Sequence, residues 1–246
     1  LIDANKISNY FDIKVISNFR QNDIINGGEG APLVPIFHAS LKKYLKVKKS
    51  AIFINIGGIS NITYISKTGG LTAFDTGPGM CLLDDYVKLN TKNQFDLNGD
   101  FSKRGKINYR ILKINMSDEF FKKDYPKSLD RNYFSIKKYK NLDFYDACAT
   151  ISMFTVLSIY EGIKKTEIDC DYIYLVGGGS RNQFISSKLS NLVPGKIKFI
   201  NKLSLSDNYI ESQAFAYLGV RSIKKLPISY PKTTGIKKAL SGGDLY

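Results

Sequence analysis

The chain predicts an α/β fold, on three observations. Residues 51–75 read as a meander of three short strands, AIFINI, NITYI and LTAFD, with GGIS and SKTGG turns between them. CDYIYLV, GGGSRN and QFISSKLSNL succeed one another as buried strand, glycine loop and amphipathic helix, which is half of an α/β unit. Between these regions ATISMFTVLSIYEGIKK is apolar on most sides, as suits a helix inside a lobe packed against a sheet.

The remaining elements fall into place in order. After the DTGPG turn, MCLLDDYVKL carries Cys81, Leu82, Val87 and Leu89 at helical spacing, so a helix should start directly after the glycines. Residues 91–142 are polar and rich in Lys, Asn and Asp, with short helical patches in NYRILKIN and DEFFKK, and read as an irregular surface insertion. Asp143 or Asp146 can cap the apolar helix that follows. KIKFIN is a further strand and IESQAFAYLGVRSI a further helix, whose small residues permit close packing. The tail from Leu226, with two prolines and a GG pair, is expected to run over the surface.

Composition narrows the function. At 246 residues the chain can bury one sizeable core or two modest lobes sharing a cleft, since single cores stop growing near roughly 250 residues. No apolar run approaches the roughly 20 residues of a membrane span, so a soluble protein is expected. The start, LIDANKISNYFD, has neither the basic nor the apolar part of a secretory leader and lacks Met; it reads as a piece of a longer chain. The net charge of +14 raises the question of nucleic acid, but only six of the 36 cations are Arg, the usual reader of bases and phosphates, and the lysines scatter. Nucleic-acid binding is therefore disfavoured. Cys81, Cys148 and Cys170 show no C-x-x-C spacing and suggest reduced thiols in a cytoplasmic protein. His38 is the only histidine, which argues against a zinc site or a Ser-His-Asp triad and leaves no metal ligand set to name; it reads as a structural residue.

Two glycine loops remain, Gly57-Gly58 after AIFINI and Gly177-Gly178-Gly179 after DYIYLV, where backbone N–H groups can approach an anion with no Cβ in the way. Neither fits G-x-x-x-x-G-K-[ST] or G-x-G-x-x-G, so a Walker-type ATPase and a dinucleotide fold are disfavoured. Asp75 ends a strand just before Gly77-Pro78-Gly79. From the residues alone it is either a turn cap or a base beside a cleft, and both readings stay open.

The order of these motifs resembles the second lobe of the actin, hexokinase and Hsp70 ATPase-like (ribonuclease H-like) fold, with NIGGISN as a phosphate hairpin and VGGGSR as an adenosine loop. In that fold Asn55 stands where a metal-associated Asp is common. More narrowly, GGEGAPLVPIFH, NIGGISNITYI, AFDTGPGMCLLDDYV, PKSLDRNYF, VGGGSRN and ESQAFAYLG resemble, in this order, anhydro-N-acetylmuramic acid kinase. The resemblance implies an ATP- and Mg²⁺-dependent sugar kinase of peptidoglycan recycling. Such an enzyme opens the 1,6-anhydro ring by hydrolysis and phosphorylates O6. It further implies a cytoplasmic enzyme with sugar and ATP as partners, no nucleic acid and no membrane, and a homodimer as the candidate assembly.

Residue by residue, the resemblance implies Asp75 as the base, and Arg20, Gly28, Glu29 and Gly77 at the sugar. It implies Gly57, Gly58, Asn61, Gly177, Gly178 and Gly179 at the nucleotide, with Glu211 on the nucleotide side; Lys127, Ser128 and Arg131 match a family loop only in part. Glu29, Met80 and Asn18 stand where the family has Gln, Asn and Asp, and the last two are expected close to the sugar. The family's N-terminal phosphate loop has no counterpart here. The expected organisation is therefore a remnant of the first lobe with a cleft loop over 1–50, a second lobe over 51–225 with the insertion at 91–142, and a tail over 226–246. A chain lacking that loop is expected to be a poor kinase alone. The alternative is a non-catalytic nucleotide- or sugar-binding module derived from such a kinase, and a basic nucleic-acid-binding protein stands only on net charge.

Overall fold

The computed structural model describes residues 3–166, 170, 172–194, 196–199 and 209–246. The chain opens with helix α1 (Ala4–Phe11), capped by the Asp3 carboxylate, then a short strand β1 (Ile16–Ser17) and helices α2 (Gln21–Ile25) and α3 (Pro35–Tyr44). The meander follows as β2 (Ala51–Ile56), β3 (Ile59–Ile65) and β4 (Leu71–Pro78), antiparallel throughout. Helix α4 (Cys81–Asn90) begins immediately after the glycines; its buried side carries Leu83 and Tyr86 as well as Cys81, Leu82 and Val87, whereas Leu89, expected inside, is 73% exposed.

The insertion departs from expectation. It carries α5 (Tyr109–Met116) and α6 (Glu119–Lys122) between short 3-10 turns, and Leu112, Phe120, Leu129, Phe134 and Tyr139 are buried in a second core with α4 and the next helix. Its Lys- and Asn-rich composition hid a thin apolar stripe that needs a partner to bury it. That partner is the 22-residue helix α7 (Phe144–Lys165). Asp143 provides its N-cap, accepting from the Tyr145 N–H at 2.9 Å, while Asp146 instead accepts from the Lys106 N–H at 2.7 Å.

Beyond α7 run β5 (Tyr172–Val176), a 3-10 turn through the three glycines, α8 (Gln183–Leu192), β6 (Ile197–Phe199), α9 (Ile210–Ile223), α10 (Pro231–Thr234) and β7 (Asp244–Leu245). Asp171, and Ile200 and Asn201 of the expected strand KIKFIN, lie outside the described residues. The main sheet has the order β4-β3-β2-β5-β6, with β5 and β6 parallel to β2. An antiparallel meander is thus extended by two parallel strands, in the α/β arrangement that the sequence implies. Period-2 alternation assigns its faces: Ile52, Ile54 and Ile56 pack against α7 and α8, while Ala51 and Phe53 pack with Tyr174 and Val176 against α3 and α9.

The tail does not simply run over the surface. Strand β7 pairs with β1, Asn18 Nδ2 donates to Asp244 Oδ2 at 2.9 Å and to the Tyr246 hydroxyl at 2.8 Å, and Ile228, Thr233, Thr234 and Ile236 are buried. Apolar side chains spaced among prolines and glycines still find a core when the N-terminal segment lies beside them. No helix of the described residues is long and apolar enough to cross a membrane.

Candidate active site

Sheet register builds the centre of the site. Asn55 pairs with Asn61 across β2 and β3, and Asn61 with Asp75 across β3 and β4, so directly opposed residues form a polar row on one face of the sheet. A register shift between Ser60 and Asn61 leaves Thr76 unpaired in β4, the two-against-one arrangement of a β-bulge. Thr76 and Gly77 both turn toward α7, meeting Gly162 and Ser158, while Asp75 keeps the opposite face. Gly77, expected at the sugar, is therefore buried against a helix, where the space for a side chain is taken by Ser158.

Asp75 is held by the 126–131 loop. Its Oδ2 accepts from the Leu129 N–H at 2.8 Å and its own N–H donates to the Lys127 carbonyl at 3.0 Å. Burial pushes its carboxyl up to about 6, against the pull of the Leu129 N–H and the Lys127 ammonium, with Glu29 adding a small push. Lys127 is itself pushed down to about 8, first by burial; its Nζ donates to the Phe120 carbonyl at 2.9 Å and lies over the Phe120 ring. Ser128 Oγ donates to Glu29 Oε2 at 3.0 Å, tying the same loop to GGEG. Arg131 pairs instead with Asp85 on the surface, at 2.9 Å.

The GGEG loop is organised by a residue whose role was not visible in sequence. Asp23, 2% exposed, accepts from the Gly30 N–H at 2.8 Å and the Thr234 hydroxyl at 2.6 Å, and an added Cβ at Gly28 would collide with its carboxylate. Asp23 and Thr234 stand 211 positions apart, so no local signal could have joined them. Gly30 lies against Arg20, which is exposed and forms no ion pair with Asp23 among the described residues. The structure thus brings Arg20, Gly28 and Glu29 to the same loop, and Glu29 to the loop that holds Asp75.

The two glycine loops meet. The Gly57 carbonyl accepts from Met80 N–H at 2.8 Å, and the Gly58 carbonyl from Gly79 and Cys81 N–H at 2.9 and 3.1 Å, so the hairpin turn caps the start of α4. Gly79 comes so close to the Gly57 carbonyl that no Cβ would fit there. Gly57 and Gly58 on one side and Gly178 and Gly179 on the other wall a cavity of about 410 Å³, whose far side belongs to residues 95–98 of the insertion. A second cavity, of about 260 Å³, opens on the α3 and α9 face between Asn55, Gly177, Gly178, His38 and Glu211. Asn61 joins the Asp75 row and is not among the residues lining either cavity.

His38 is the floor beneath the polar row. It stacks on Phe53 with ring centroids 4.8 Å apart and shares a 2.9 Å hydrogen bond with Thr63; burial pushes its imidazole down to about 3, which fixes it neutral. Met80 and Asn18, expected near the sugar, lie apart in the fold. Met80 lines the glycine-loop cavity, and the Asn18 amide is consumed by the C-terminal tail. Among the described residues no three His, Cys, Asp or Glu side chains gather as a metal-holding group.

Comparison with known proteins places this geometry. A family model described as anhydro-N-acetylmuramic acid kinase matches residues 1–246. An anhydro-N-acetylmuramic acid kinase of Methylobacterium nodulans is 36% identical over 98% of this chain and 64% of its own length, and one of Pelagibacter ubique is 41% identical over 99% and 67%. The chain thus spans about two thirds of the length of these relatives. Among solved structures, the activator of 2-hydroxyisocaproyl-CoA dehydratase from Clostridium difficile with bound ADPNP aligns with a TM-score of 0.42 at 13% identity, covering 66% of this chain and 57% of that one, a likeness too loose to carry an argument.

Proposed function

Because this chain belongs to the anhydro-N-acetylmuramic acid kinase family, we propose that it serves the ATP-dependent opening and phosphorylation of 1,6-anhydro-N-acetylmuramic acid, with Asp75 as the general base. In this reading Asp75 takes a proton from water as the water oxygen attacks the anomeric carbon. The C1–O6 bond breaks and O6 takes the γ-phosphoryl group of ATP, giving N-acetylmuramate 6-phosphate and ADP, with the proton passing from Asp75 to solvent. The observation that carries it is the carboxyl of Asp75, on the sheet face away from α7 opposite Asn61, held by one backbone N–H and pushed up to about 6. Such a group is ionised at neutral pH yet basic enough to accept a proton.

The other residues have supporting roles. Glu29 offers a carboxylate felt by the base, for the hydroxyls of the sugar, and Arg20, against Gly30 of the same loop, a guanidinium for the lactyl carboxylate. The loops at Gly57-Gly58 and Gly177-Gly179 cradle the nucleotide; when Mg²⁺ is bound with it, the ion neutralises phosphate charge. A cytoplasmic setting, where ATP is supplied, agrees with three cysteines none of which is in a disulfide among the described residues. The test is Asp75→Asn, assayed for sugar-dependent ADP release. We expect a loss on the order of 10²–10⁴-fold in kcat with ADP affinity unchanged; turnover within a few-fold of the unaltered protein would refute the base assignment.

A further inference from the structure

Two residues that line the glycine-loop cavity each carry a buried polar atom with no hydrogen-bond partner: Asp84 Oδ1 and Asn182 Nδ2. Buried polar groups are nearly always paired, so two orphans on residues lining one cavity ask for a ligand. The Asn182 amide is oriented unambiguously. Its Oδ1 accepts from the Ile185 N–H at 3.1 Å and caps α8, which leaves Nδ2 as the spare donor. Asp84 lies in the first turn of α4, and its carboxylate makes no hydrogen bond or ion pair among the described residues; burial pushes its carboxyl up to about 6, so it is still an acceptor at neutral pH.

Position decides what such a donor and acceptor would read. Both residues flank the glycines: Asp84 follows the helix start that Gly57 and Gly58 cap, and Asn182 closes the Gly177–Ser180 turn. Across the cavity stand Phe95 and Leu97, apolar and 52% and 61% exposed, as a platform for a base. A volume of about 410 Å³ suits a nucleoside. Between phosphates on the glycines and a base on the platform comes the ribose. Its vicinal hydroxyls each donate and accept, so they can give a hydrogen to Asp84 and take one from Asn182. Resting on the kinase reading, we infer that Asp84 and Asn182 are the ribose-recognition pair of the nucleotide site.

Calorimetric titration of the whole chain with ADP, 2′,3′-dideoxy-ADP and inosine diphosphate tests this. The unaltered protein should prefer ADP over the dideoxy analogue by about tenfold or more, the effect of a hydrogen bond to a charged group. Asp84→Asn, and Asn182→Asp, which keeps the capping Oδ1, should each weaken ADP about tenfold, leave the dideoxy analogue nearly unchanged and bring the ratio toward one. A melting temperature close to that of the unaltered protein separates lost recognition from lost fold. If ADP binds but that ratio survives in both variants, the inference is overturned and the kinase reading stands. It is equally overturned if the variants alter only discrimination against inosine diphosphate, since the pair would then read the base. No ADP binding by the unaltered protein would instead remove the kinase reading itself.

Discussion

At the scale of residues, two titrating groups have opposed signatures. Asp75 holds its proton more tightly folded than unfolded, so the stability it contributes is full below its ordinary value near 3.8 and lost as pH rises through about 6. His38 does the reverse: its contribution is full above its ordinary value of 6.5 and lost as pH falls through about 3. Urea midpoints measured from pH 3 to 8 should therefore rise more steeply with pH between 4 and 6 in Asp75→Asn, where the His38 contribution is left unopposed. Glu29 gives a finer test. Removing its negative charge in Glu29→Gln favours ionisation of Asp75, so the acid limb of kcat against pH, expected near 6, should move to lower pH. A limb that stays or rises would mean Glu29 is not felt by the base.

At the scale of elements, α7 joins the sheet to the insertion. Phe154 is fully buried and meets Phe121 and Phe134 at centroid distances of 5.9 and 5.0 Å. Phe154→Ala should cost about 3–5 kcal/mol, and hydrogen exchange should quicken first in α5 and α6; equal quickening throughout the sheet would show that the insertion has no separate core. Here the limits of sequence reading are plain. The meander was legible because β-branched runs and glycine turns are local signals, and the start of α4 because glycines precede it. The core of the insertion was not, because Leu112, Phe120 and Tyr139 are scattered among lysines and acquire meaning only against α7. In the site, Asp75 and the glycine loops announced themselves by motif. Asp23, Asp84 and Asn182 did not, since their partners or cavity walls come from distant parts of the chain.

At the scale of the molecule, the two ends of the chain form one structure. β1 pairs with β7, Asn22 Nδ2 donates to the Ser241 carbonyl at 2.7 Å, and the Glu29 N–H donates to the Thr234 carbonyl at 2.8 Å. The loop that presents Arg20 and Glu29 is thus anchored by residues more than 200 positions away. Deleting residues 244–246 should accelerate amide exchange over residues 14–22 while leaving 51–78 protected; unchanged exchange at 14–22 would show that the tail is not the anchor. The charge of +14 is a separate, diffuse property, and binding to polyanions should fade steadily with added salt and show no sequence preference.

The unpaired Thr76 makes the facing of β4 a matter of counting. Strands alternate by twos, so parity decides which side a residue serves, and here one surplus residue reconciles a carboxylate on one side with two successive residues on the other. Loss of that single codon would restore even alternation without turning the acid over: Asp75 would stay opposite Asn61 and Gly77 opposite Ser60, and what would go is the second seat against α7. The surplus residue therefore serves the grip on α7, while the aim of the acid is set by its own pairing with Asn61.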